Sequence, residues 1–72
     1  EYKMTWNLEG LRIEAKYMGE FPVVGRVESS RVRYGGEVSH TVVLDDYLVV
    51  YNRKTDRVIV EHKYVERVMQ NS

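Results

Sequence analysis

Leu11-Arg12-Ile13-Glu14-Ala15-Lys16-Tyr17 alternates apolar and charged side chains without a break. A period of two marks a strand with one buried face, because successive side chains on extended backbone point to opposite sides. Working outward, Met18 to Pro22 reads as a connection, with Phe21 held extended by the proline that follows it. A second strand starts near Val23. Val23, Gly25 and Val27 share one face, and Val24, Arg26 and Glu28 the other. Past Ser29-Ser30 the apolar phase moves to Val32 and Tyr34, the signature of a bulge or bend. Gly25 inside the strand suits a sharp bend. Gly35-Gly36 reads as a turn.

Val38, His40, Val42 and Leu44 then share a face of a third strand, which Asp45-Asp46 interrupts. Tyr47 to Tyr51 continues extended, and Asn52 to Asp56 reads as a polar turn. Arg57 to His62 is a fourth strand and, after a tight joint at Lys63, Tyr64 to Met69 a short fifth. Residues 1–10 form an extension in which Met4 reads as a natural start and Trp6 packs across one end. Residues 70–72 form a fraying tail. Five short strands over residues 11–69 predict a small, strongly bent barrel of the SH3-like or OB-like kind.

Composition agrees. Valine, isoleucine, threonine and aromatic residues make up 26 of the 72 residues, and alanine occurs once. Branched and aromatic side chains suit a pleated surface. Lysine plus arginine and aspartate plus glutamate number 11 each, so a general polyanion binder is not expected. Cysteine is absent, which excludes disulfides, thiol catalysis and cysteine-ligated zinc. The longest apolar run, Leu48-Val49-Val50-Tyr51, is too short to span a membrane, and no secretory leader is read. The expectation is a soluble cytoplasmic domain with no cofactor. A core this small yields roughly 3–5 kcal/mol of net stability, so assembly is the expected source of more.

Three segments resemble the Sm-like family, which includes the bacterial RNA chaperone Hfq. Leu11 to Ala15 followed by Val24-Gly25-Arg26-Val27-Glu28-Ser29 is similar to the first Sm motif, with its glycine on a bent strand. His40-Thr41-Val42-Val43-Leu44-Asp45 is similar to the end of that motif, and Val58 to Val68 to the second. In Hfq the second motif reads tyrosine-lysine-histidine, whereas here His62 precedes Lys63. Small Sm-like proteins of phage origin are the most similar in appearance, which would place the chain in a host cytoplasm. The chain departs from the pattern in three ways. The aspartate after the motif glycine is missing, Thr41 stands near the position of the uridine-pocket asparagine, and a hairpin is inserted at residues 31–37.

The resemblance implies a five-stranded SH3-like barrel of the Sm type. It also implies a homo-oligomeric ring of about five to seven subunits, closed by the fourth strand of one copy on the fifth of the next. Val58, Val60, Val65, Val68 and Met69 would lie near that seam. The ring would bind single-stranded RNA or nucleotide-type ligands, with His40 and Thr41 forming one half of a pocket and His62 and Lys63 the other. Arg31, Arg33 and Tyr34 at the inserted tip would hold phosphate and stack a base. The plainer reading makes His40 a strand histidine, His62-Lys63 a surface pair and the tip a solvated hairpin.

Asp45-Asp46 reads as a turn rather than a metal site, since neighbouring carboxylates on a strand diverge. Tyr17, Tyr47, Tyr51 and Tyr64 read as barrel or seam filling. Lys54 and Arg53 read as solvated. Ser29-Ser30 with a distant histidine is too common to signal catalysis, and no phosphate-cradling loop or metal spacing is present, so the chain reads as no enzyme. Two further classes stay open: a protein-interaction or structural module without nucleic-acid affinity, and a ring that sequesters small molecules.

Overall fold

A computed structural model describes residues 6–69. The strands are β1 (Arg12–Tyr17), β2 (Phe21–Val32), β3 (Val38–Val50), β4 (Arg53–Glu61) and β5 (Val65–Met69). They form one antiparallel sheet in the order β4-β3-β2-β1-β5. Three-residue 3-10 turns lie at Tyr34–Gly36 and His62–Tyr64. The start expected at Met4 and the tail expected at residues 70–72 lie outside the described residues. No helix among the described residues is long and apolar enough to cross a membrane.

The alternation read from the sequence holds where it was cleanest. Ile13 and Ala15 of β1, Val23 and Val27 of β2, Val42 and Leu44 of β3, and Val58 and Val60 of β4 make one buried cluster. A flat sheet could not bury one face of both β1 and β4, so this sheet curls over its inner face. Each such valine, leucine or isoleucine contributes about 1.5–3 kcal/mol when fully buried. The curl leaves the sheet open, because β4 and β5 stand at opposite edges. Gly25 lets β2 lie close against β3, opposite Leu44. A Cβ there would strike the Val43 carbonyl oxygen and lie 2.8 Å from Leu44 Cα.

Two irregularities redirect side chains. Between Val27 and Ser29 the β2–β3 register slips, so Glu28 is the extra residue of a bulge. The slip turns Ser30 rather than Ser29 inward, opposite His40. The phase does change here, but Val32 and Tyr34 do not follow it into the core; they are 50% and 105% exposed. The second slip lies between Val43 and Leu48, where β3 loses its pairing with β4. Asp45-Asp46 therefore interrupts the ladder but not the strand. Asp45 accepts both guanidinium N–H groups of Arg12, at 3.1 and 2.6 Å.

Other expectations need correction. The β3–β4 turn is Tyr51-Asn52, both at positive φ, and residues 53–56 already belong to β4. Two consecutive positive φ values match the right-handed twist of a two-residue hairpin. Tyr47 and Tyr51 are 65% and 75% exposed and fill no interior. Tyr51 instead meets Phe21 edge to face at 6.4 Å, and Lys54 Nζ lies 4.3 Å over the Tyr47 ring. Trp6 is exposed; Leu8 closes that end of the core, because the turn at Glu9-Gly10 folds it back under β2.

Candidate functional site

The outer face of the sheet carries the first candidate. Bulge and register set rows of outward side chains across β2, β3 and β4: Ser29 beside Thr41 beside Ile59, and Arg31 beside Ser39 beside Glu61. The Tyr34–Gly36 turn returns the chain through Gly35 and Gly36, both at positive φ, and Gly36 N–H donates to the Arg33 carbonyl at 2.9 Å. A cleft of about 670 Å³ results, lined by Ser29, Arg31, Val32, Arg33, Tyr34, Ser39, Thr41 and Ile59. No carboxylate lines it. Among the described residues, neither Arg31 nor Arg33 forms an ion pair. Two guanidinium groups, an exposed phenol and three hydroxyls can hold phosphate oxygens and stack a planar ring.

His62 and Lys63 line a different and smaller cleft of about 250 Å³, with Gly36, Glu37, Val38 and Glu61. Its charges are mixed. Lys63 Nζ lies 3.4 Å from Glu61 and 5.3 Å over the Tyr64 ring. Tyr64 foremost, then Glu61, holds the Lys63 ammonium above its ordinary range. An anion entering here meets two carboxylates, which disfavours it.

No family model, curated protein or solved structure matches the chain. Its sites are therefore read from their own chemistry.

His40 offers no surface to a ligand, being 0% exposed. Its Nδ1 bonds Ser30 Oγ at 2.7 Å and its Nε2 bonds His62 Nδ1 at 2.8 Å, with ring centroids 5.0 Å apart. Burial, then the charge of His62, lowers its pKa from 6.5 to about 4. The expected pairing of His40 with Thr41 fails for the same reason as the diaspartate: neighbours on a strand face opposite ways. Thr41 instead joins Arg31, Arg33 and Tyr34 in the larger cleft.

Of the expected seam residues, Val58 and Val60 lie in the chain's own core. Val65 is half-buried against it, Val68 is 47% exposed, and Met69 is half-buried at the β5 edge. Ser29, Ser39 and Ile59 were not expected at a site. Ile59 was legible as the outward residue between Val58 and Val60. Ser39 was legible in the same way between Val38 and His40, but Ser29 was not, because the Glu28 bulge decides whether Ser29 or Ser30 turns outward. Among the described residues no group of three histidines or carboxylates could hold a metal ion.

Proposed function

We propose that this chain is an Sm-like, ring-forming protein that binds single-stranded RNA or a nucleotide-type ligand without catalysing a reaction on it. The observation that carries the binding is the carboxylate-free cleft with Arg31, Arg33 and Tyr34 around Thr41. Phosphates engage the arginines, and a base stacks on Tyr34. With zero net charge on the chain, binding is modest per subunit and gains strength by repetition around a ring.

Ring closure is supported by the strand order, which leaves β4 and β5 as the two edges. Residues opposite one another in the ladders share a face, so Val60 points inward with His40 and Val68 inward with Ile13. Ile59 and Glu61 point outward, as do Arg67 and Met69. One antiparallel register of β4 on a neighbour's β5 matches both faces. It sets Val60 beside Val68, Ile59 beside Met69 and Glu61 beside Arg67. Covering both edges also removes the templates that unpaired strands present to other chains.

Two results test the reading. The double variant Arg31→Ala/Arg33→Ala is expected to weaken binding to a short single-stranded RNA by about tenfold or more, measured by fluorescence anisotropy. It is also expected to flatten the salt dependence; unchanged affinity removes the cleft assignment. In native mass spectrometry a closed oligomer is expected, lost in Glu61→Arg and regained in Glu61→Arg/Arg67→Glu. A monomer at high protein concentration removes the ring.

A protein-interaction module is the second reading. The exposed Tyr47, Val49 and Tyr51 on the β3–β4 hairpin favour it, since they offer an apolar surface that no RNA phosphate uses. A ring with no affinity for RNA or nucleotides decides for it.

A further inference from the structure

A run of buried and part-buried polar contacts lies away from the basic cleft and takes no part in the binding proposed above. Leu8 N–H donates to Ser30 Oγ at 3.1 Å, Ser30 Oγ bonds His40 Nδ1, and His40 Nε2 bonds His62 Nδ1. Ser30 N–H also donates to Glu9 Oε2 at 3.0 Å. The run ties together three segments far apart in sequence: the strap at Leu8-Glu9, the Ser30–His40 rung of β2 and β3, and the turn that joins β4 to β5. The Val65 amide in turn donates to the His62 carbonyl, so the geometry of that turn depends on where His62 is held.

Counting protons shows what this run tolerates. A neutral imidazole has one N–H and one acceptor nitrogen, and a serine hydroxyl both donates and accepts. With both rings neutral, Ser30 donates to His40 Nδ1 and His40 Nε2–H donates to His62 Nδ1. With one added proton on either ring, the bond between the rings survives, because one nitrogen of the facing pair still accepts. His40 Nδ1–H then donates to Ser30 Oγ. With two added protons both facing nitrogens carry hydrogen. At 2.8 Å that contact turns from a hydrogen bond into a repulsion between two cations, one of them fully buried.

The surroundings do not cancel this. Glu9 is held on the Ser30 amide, and β4 faces His40 with Val60. Glu37, Glu61 and Lys63 lie beside His62 in the smaller cleft, with Lys63 paired to Glu61. No carboxylate bonds either imidazole among the described residues.

We infer that Ser30, His40 and His62 form a proton-counting latch. It stays closed on a neutral or singly protonated histidine pair. The second proton opens it and releases the Leu8-Glu9 strap and the His62–Tyr64 turn while the ladders of the sheet persist. The low pKa of His40 puts that opening in the acidic range.

Amide hydrogen exchange on the whole chain reads the latch directly, because the Leu8 and Val65 amides donate to Ser30 Oγ and the His62 carbonyl. After correction for intrinsic rates, their protection is expected to lie below that of the β2–β3 ladder and to hold near neutral pH. It is then expected to fall by about tenfold per pH unit toward about pH 4. His62→Gln removes the second charge and leaves an amide that can accept from a protonated His40. In that variant the acid loss of Leu8 protection is expected to be shallower, because burial of His40 remains and the second charge does not. The inference is overturned if the Leu8 and Val65 amides lose protection only together with the ladder, or if wild type and His62→Gln show the same acid dependence at Leu8.

Discussion

Gly25→Ala is expected to leave little folded protein at room temperature. The added Cβ would lie 2.8 Å from Leu44 Cα and closer still to the Val43 carbonyl oxygen. Both obstacles are backbone atoms of the strand that Gly25 pairs with. Overpacking a core usually costs about 1–3 kcal/mol because side chains move aside. Here nothing can move aside without parting β2 from β3, so a loss of about 3 kcal/mol or more is expected, close to the whole margin of a domain this small. Gly35→Ala is the control. Open space surrounds Gly35, and only its positive φ resists the substitution, at about 1 kcal/mol. Urea unfolding followed by circular dichroism separates the two. A Gly25→Ala protein as stable as Gly35→Ala would mean that the strands do not cross so closely.

Global stability is expected to fall by about 3 kcal/mol between neutral pH and pH 4 on account of His40 alone. The sign follows from the direction of the shift. The folded chain holds His40 at about 4 against an ordinary 6.5, so the unfolded chain takes up the proton first as pH falls. The contribution is complete above about pH 6.5 and is lost progressively on the way down to about pH 4. Urea midpoints across that window measure it. His40→Leu is the comparison: it strands the Ser30 hydroxyl and His62 Nδ1, costs stability at neutral pH, and removes this part of the acid slope. Equal slopes in the two proteins would show that His40 is not buried as a neutral ring. This titration reads global unfolding, whereas exchange at Leu8 and Val65 reads the local opening that precedes it.

Local pattern carried far in this chain. The alternation at 11–17 and at 38–44 identifies the inward residues of β1 and β3 correctly, because each run has one face in the core and one in solvent. The pair Gly35-Gly36 marks a real reversal, since both residues sit at positive φ. The β3–β4 hairpin was misread for a physical reason. Arg53 to Asp56 are polar because that arm is solvated, not because it turns, while the turn itself uses Tyr51, a residue that seldom adopts positive φ. The candidate site was legible in its charges and not in its grouping. Arg31, Arg33, Tyr34 and Thr41 were all singled out, but their meeting in one cleft depends on the Glu28 bulge.

An all-β chain without cysteine chemistry, with most of its strands placed to within a few residues, is legible in the residues alone. Those features follow from side-chain shape and period-two patterning, which act between neighbours along the chain. That His40 is paired and buried, that Val58 and Val60 belong to the chain's own core, and that β4 and β5 are the edges is visible only in the folded chain. Each of these depends on register, and one extra residue at Glu28 reverses the facing of every side chain from Ser29 onward in β2.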